Sequence, residues 1–234
     1  MIKNCSSAMD LAWELYGTGR FPEYAWVLAE NQTRGRGRMG RQWVSVSGNL
    51  FAAIRLPDAA RSLGTLLPMA VALPLVDTLA SLGVPGLIKW PNDIMVGQCK
   101  VGGILVEEKQ KILVAGIGVN LCAAPENSGT EKFFHIRAGC LKQSGVDLTI
   151  LRLWHLCLTQ IMQTFPALIS DPALAAQKVD VHLAWKDQTV VAENTGKVDG
   201  PARILGIDQQ GRLCLRTAAG ISLIDSGTIH PRMT

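Results

Sequence analysis

Apolar positions along this chain follow two rhythms, one with the period of a helix and one with the period of a strand. Residues 7–16, SAMDLAWELY, set apolar side chains at helical spacing behind serines, which predicts a short helix capped by Ser6 or Ser7. YAWVLAE (24–30), NLFAAIRL (49–56) and LIKW (87–90) read as strands. The run IMVGQCKVGGILVEE (94–108) has the form of a hairpin turning at Gly97-Gln98, and KILVAGIGVN (111–120) pairs next. Leu151, Trp154, Leu158, Ile161 and Phe165 recur at helical spacing, predicting an amphipathic helix over 147–169, with a second helix over 172–183. The fold class is therefore α+β, a largely antiparallel or mixed β-sheet with helices on one face.

The texture changes near Trp185. Short β-rich runs broken by turns (GPARILGI, DQQG, RLCLRT, AAG, ISLID) predict a small β-barrel of SH3-like size, so the expected units are 1–183 and 184–234. LLPMAVALPLVDTLASLGV (66–84) is apolar enough to resemble a membrane span, but Pro68, Pro74 and Asp77 interrupt it. A buried helix is the expectation, and no membrane partner.

Composition narrows the classes further. Hydrophobic residues make up 48% of the 234 and charged ones only 18%, so a large core forms and disorder is excluded as an overall description. The net charge of +4 permits anionic ligands but falls short of a dedicated nucleic-acid surface. Six scattered cysteines without a CxxC pair suit reduced thiols in a cytoplasm, and four histidines show no HxxxH or HExxH spacing. No histidine or cysteine metal site is assigned.

Three stretches carry candidate chemistry. NQTRGRGRMGRQW (31–43) holds four arginines interleaved with Gly35, Gly37 and Gly40. Arginine forks grip carboxylate or phosphate, and glycine lets the backbone approach a ligand. A clamp on one small anion, a solvated loop and an RNA-binding segment all fit this spacing, although no aromatic-rich platform supports the last. In KWPND (89–93), Pro91 forces an extended or turning chain that displays Lys89, Asn92 and Asp93 at a strand end. Lys100, followed by Gly102-Gly103, sits on the return arm of the hairpin. In AGIGVN (115–120), glycines alternate along a strand, which marks close approach of a ligand or another backbone.

In this order, GRGRMGRQW (35–43), KWPND (89–93), KVGGILVE (100–107) and GIGVN (116–120) resemble the biotin protein ligases, also called biotin–acetyl-CoA-carboxylase ligases. The tail, GIDQQGRLCL and GISLIDSGTIHPR, is similar to their small C-terminal domain. The resemblance implies a class II aminoacyl-tRNA-synthetase-like ligase domain with an SH3-like appendage. It also implies an enzyme that joins biotin to ATP as biotinyl-5′-AMP, then transfers it to a lysine. The acceptor is a biotin carboxyl carrier protein or domain of a carboxylase or decarboxylase. Members are monomers or dimers paired by sheet edges, so a homodimer stays open. Many bacterial members begin with a helix-turn-helix repressor domain. Here the ligase helix starts by residue 7, and the expectation is a ligase without repressor function or DNA partner.

By the same resemblance, Arg38 and Lys100 are catalytic, with Arg36 and Arg38 at the reacting carboxyl and phosphate. Gln32 bonds the biotin head group, Ser7 the ureido group, and Ala8, Met9, Gly35 and Gly37 border the ligand. Trp43 packs on its apolar part, while Gly103 and Gly118 leave room for the bicycle. Arg41, Trp90, Asn92, Asn120 and Arg232 fall near the nucleotide. Mg²⁺ accompanies ATP, with Asp93 as its candidate carboxylate. The chain departs from the pattern at Ala8 and Met9, where the family usually has Thr-Asn, and at Met39, where it often has a basic residue. The first departure keeps a lipoate or other acyl ligase open as an alternative; a non-catalytic RNA-binding protein is the other.

Overall fold

A computed structural model describes residues 1–125 and 136–231. Its first sheet has seven strands: β1 (Ile2–Cys5), β2 (Trp26–Gln32), β3 (Leu50–Leu56), β4 (Gly86–Lys89), β5 (Asp93–Val96), β6 (Cys99–Lys109) and β7 (Ile112–Val119). Their order is β1-β2-β3-β7-β6-β5-β4, antiparallel throughout except for the parallel β1–β2 pair. The hairpin turns at Gly97-Gln98 as its sequence predicts. β1 carries no alternation and is mostly exposed, so its pattern gave no sign of it.

Strand β3 explains where the helices go. Leu50, Ala52, Ile54 and Leu56 face one way, toward α2 (Leu67–Ser81), α3 (Ile150–Ser170) and α4 (Pro172–Val181). Phe51 and Ala53 face the other way, into a smaller cluster with Ala8, Met9 and Ala12 of α1 (Ala8–Gly17). Helices on one face is thus corrected: α1 covers the opposite face, because a strand apolar on both sides needs cover on both. Ser7 caps α1, its Oγ accepting from the Asp10 N–H at 3.0 Å.

The apolar segment at 66–84 forms α2. Although long and apolar enough to cross a membrane when extended back to Asp58, it is largely buried inside the protein. On α3 the buried face runs through Leu153, Trp154, Cys157, Ile161, Phe165 and Leu168; Leu151 lies outside it, exposed.

A second, antiparallel sheet follows: β8 (Thr189–Glu193), β9 (Gly200–Ile207), β10 (Leu213–Thr217), β11 (Gly220–Ile224) and β12 (Thr228–Pro231), ordered β11-β10-β9-β8-β12. Its inner residues, among them Val190, Ile204 and Leu215, continue the large core without a break. Trp90, only 1% exposed, lies at this junction and donates its indole N–H to the Gly211 carbonyl at 3.1 Å. None of the six cysteines is disulfide-bonded.

Candidate active site

The alternation of β7 puts Val114, Gly116 and Gly118 on the α1 face of the sheet, with Gly103 of β6 opposite Gly118. These glycines form a trough that the chain fills itself. A Cβ on Gly118 would lie 2.6 Å from the Trp43 indole, and one on Gly116 would lie 2.9 Å from Met9 Cγ. Trp43 packs against Gly103 and Gly118 beside the cavity that they line, and its own N–H is buried without a partner. Met9, the unexpected residue of SAM, owes its fit to Gly116.

The cationic part is built by two strand pairings. Residues 90–92 turn β4 into β5, making Lys89 and Asp93 direct partners, with Nζ 2.9 Å from Oδ2. A bulge between Ile94 and Met95 then shifts the β5–β6 register, so that Lys100 and Gly103, of opposite parity, both end beside Asp93. Lys100 Nζ lies 2.6 Å from Asp93 Oδ1 and 5.5 Å from the centre of the Trp43 ring. Asn92 is fastened to β6, donating to the Ile104 carbonyl at 2.7 Å, and its Oδ1 accepts from Arg38 at 3.4 Å.

The arginine stretch folds back on itself. Gly37 N–H donates to the Arg41 carbonyl and Trp43 N–H to the Gly35 carbonyl, with Met39 (φ 56°) and Gly40 (φ 73°) at the tip. A paired positive-φ tip suits a tight hairpin turn, and holding Met39 there costs about 1 kcal/mol. Gly35 is enclosed beneath Trp43, Gln32 and Ser45. Gln32 is itself engaged: its Oε1 accepts from Ala8 N–H and its Nε2 donates to Ser45.

Arg36 differs from its neighbours. Its guanidinium donates twice to Glu107, at 2.8 and 3.2 Å, once to Asp10, and once to Ser7 Oγ at 3.3 Å. The bonds to Glu107 hold its charge more firmly still, and burial only partly opposes them. Through these bonds Arg36 ties the loop to α1 and β6, and it also lines the cavity described below. Glu107→Gln is expected to weaken this tie by about 1.5 kcal/mol, making trypsin cleavage among residues 34–41 about tenfold faster. Unchanged cleavage of the folded variant would contradict the tie.

These parts enclose a cavity of about 270 Å³. One end is apolar, formed by Ala8, Met9, Trp43 and Phe51, with Ser7, Gln32, Gly103 and Gly118 around it. The other end is cationic, formed by Arg38, Arg41, Lys89 and Lys100, and Asp93 is the one acidic side chain lining the cavity among the described residues. Arg36 and Gly37 edge it, as do Asn92, Ile136 and, from the second sheet, Gly227 and Thr228. Arg34 is exposed to solvent. Burial lowers the Arg38 guanidinium somewhat, with Asp93 opposing and Arg41 adding to the effect. Such a cavity suits a molecule with an apolar body and an acid group, with space for a second anion beside it.

Three expected residues stand apart from the cavity. Trp90 is packed at the sheet junction. Asn120, 4% exposed, donates its side-chain amide to the Gly139 carbonyl, and its own backbone pairs with Val101 and Leu141. Both are packed into the framework of this ligand-free structure, and Gly35 supports the loop from below. Arg232 lies outside the described residues. Asp93 does not fit a metal: each of its oxygens carries an ammonium, and no group of three acidic, histidine or cysteine side chains gathers among the described residues.

The sequence reading assigned no site role to Lys89, Phe51, Asp10, Glu107 or Thr228. Lys89 and Glu107 lie inside quoted motifs, and Asp10 sits one turn into the capped helix. Thr228 has no local signal.

Burial would raise the Asp93 carboxyl, yet Lys100 and Lys89 outweigh it and hold it well below the usual carboxylate range. Asp10 and Glu107 are likewise lowered: burial opposes, while Arg36 and, in turn, Ser6, Ser7 and Trp13 prevail. A carboxylate so lowered stabilises the fold fully above its unfolded pKa and loses that contribution as pH falls toward the folded value. The melting temperature is expected to drop by several degrees between pH 5 and pH 3, and less steeply in Asp93→Asn. Parallel pH profiles for parent and variant would contradict this.

Comparison with known proteins agrees in sequence and fold. Residues 2–122 match the profile of the biotin/lipoate A/B protein ligase family, and residues 188–230 match the biotin protein ligase C-terminal domain. A biotin–acetyl-CoA-carboxylase ligase of Paracoccus denitrificans is 30% identical over 96% of this chain and 95% of its own length. A ligase of the same name from Mycobacterium tuberculosis is 28% identical over 87% of this chain and 77% of its own. The solved biotin protein ligase of Aquifex aeolicus in complex with biotin and ATP has the same fold. Its TM-score is 0.85 at 24% identity, covering 100% of this chain and 97% of that one.

Proposed function

The chain belongs to the biotin/lipoate A/B protein ligase family, and from that premise we propose that it is an ATP-dependent biotin–protein ligase. A carboxylate oxygen of biotin attacks the α-phosphorus of ATP, pyrophosphate leaves, and biotinyl-5′-AMP forms. The ε-amine of a carrier lysine then attacks the acyl carbon, releasing AMP and a proton. The acceptor is the biotin carboxyl carrier domain of a biotin-dependent carboxylase or decarboxylase.

The observation that carries this reading is a single cavity joining an apolar end at Met9 and Phe51 to a cluster of cations at Arg38, Arg41, Lys89 and Lys100. Two anions must meet for the first step, and fixed positive charge offsets their repulsion and stabilises the charge that develops. Lys100 bridges the biotin carboxylate and the α-phosphate, and Arg38 flanks them from the loop. Arg41 and Asn92 border the nucleotide. Ser7 and Gln32 face the biotin head group, with Gln32 trading its bond to Ser45 for one to the ligand. Trp43 packs on the apolar part of the acyl chain. Mg²⁺ is read as arriving on the ATP phosphates, since Asp93 is already claimed by two ammoniums. Residues 1–183 form the catalytic unit and 184–234 the small C-terminal one, and the reduced thiols suit a cytoplasmic protein.

One observation favours a second reading, an acyl ligase using lipoate or another acid: Ala8 and Met9 give the head end no hydroxyl or amide side chain. Incubation with MgATP, biotin and a biotin carboxyl carrier domain, followed by mass spectrometry, tests the first reading. One biotinyl group on one lysine is expected. An unmodified carrier, or modification with lipoate alone, overturns it.

A further inference from the structure

Lys89 is the least accessible cation in this site. Its side chain is 6% exposed, against 33% for Lys100, and it meets the opposite oxygen of the same carboxylate. The β4–β5 pairing fixes Lys89 and Asp93 as partners, whereas Lys100 reaches Asp93 across the bulge with more solvent around it. Both ammoniums are bonded to Asp93, but only Lys100 keeps a solvent-facing side from which a ligand can reach it.

We propose that Lys89 is a positioning residue for adenylation: it keeps the Asp93 carboxylate neutralised when Lys100 turns to the incoming anion. The proposal rests on the ligase reading above. Burial pulls the Lys89 ammonium down and its contact with Asp93 opposes this; with Lys89 protonated, the three groups together carry one net positive charge. When Lys100 moves to the substrate, Asp93 remains paired with Lys89, and no buried carboxylate is left alone beside a phosphate. Without Lys89, Lys100 and Asp93 form a neutral pair. Substrate must then win Lys100 from a carboxylate that has no other ammonium, and the carboxylate left behind repels the anion. Arg38 and Arg41 add to the field from the loop, and neither is fixed to Asp93 by strand pairing as Lys89 is.

Charge arithmetic supplies the test. Lys89→Met removes the net charge, and Lys89→Met/Asp93→Asn restores it on Lys100 alone. In biotin-dependent pyrophosphate exchange, Lys89→Met is expected to lower kcat/KM for ATP by about 10- to 100-fold, and the double variant to return within about tenfold of the parent. A role in folding alone predicts no such rescue. A double variant as impaired as Lys89→Met, or a Lys89→Met enzyme equal to the parent, overturns the proposal. If Lys89→Met does not fold, the double variant, which has no unpaired carboxylate, decides: exchange within tenfold of the parent supports the proposal and loss overturns it. ATP binding by the same proteins, measured without turnover, separates this inference from the ligase reading. A parent without biotin-dependent exchange defeats the ligase reading, and the Lys89 inference then stands or falls on the same rank order in ATP affinity.

Discussion

Lys100→Ala lowers the rate of biotin adenylation by about 10²–10³-fold, with a modest drop in melting temperature from the lost Asp93 contact; this is the largest effect on activity that the site predicts. Lys100 is the more solvent-exposed of the two ammoniums meeting at Asp93, and it lies beside the Trp43 ring on the cavity wall. Removing it takes away the cation placed to face both the carboxylate and the α-phosphate. It leaves Asp93 bonded to Lys89, so the fold retains a satisfied carboxylate. Exchange kinetics and a thermal melt on the same preparation separate the two quantities. A variant that exchanges at the parent's rate would remove Lys100 from the mechanism. One that unfolds at room temperature would make it a structural residue.

Trp90→Ala is expected to cost about 3–5 kcal/mol of stability, the range for truncating a buried aromatic, and to lower the melting temperature by roughly 10 °C. The indole fills the junction between the sheets and satisfies the Gly211 carbonyl 121 residues away. Its loss opens a cavity and leaves that carbonyl without this donor. Trp90→Phe keeps most of the volume and is expected to recover more than half of the loss. Urea unfolding of the three proteins measures both effects. A Trp90→Ala variant as stable as the parent, but unable to bind ATP, would make this residue a nucleotide contact and not a packing one.

Features written in nearby residues were legible in the sequence. The hairpin at Gly97-Gln98, the cap at Ser7, the buried helix after Leu66 and the glycine alternation of β7 are each set by a short stretch. Their local chemistry carries over directly to the fold. Features that depend on partners far along the chain were not. The tie from Arg36 to Glu107 was hidden, because nothing in GRGRMGRQW reveals a partner 71 residues on. The packing of Trp90 was hidden too, because the Gly211 carbonyl that receives its indole N–H is 121 residues away. The glycines of β6 and β7 were read correctly as sites of close approach, but their occupants are Trp43 and Met9, side chains of the chain itself. Asp93 was recognised as a site carboxylate, and only the bulge at Ile94/Met95 shows that two lysines, not a metal, meet it. Helix α1 fell on the second face because both sides of β3 are apolar, a property visible in NLFAAIRL once both faces are counted.

The most direct test of the central claim is ATP–pyrophosphate exchange with MgATP and labelled pyrophosphate, in the presence of biotin, of lipoate, or of neither acid. Label is expected to enter ATP with biotin, with no exchange in the absence of an acid. Exchange with lipoate alone, or none with biotin, would contradict it.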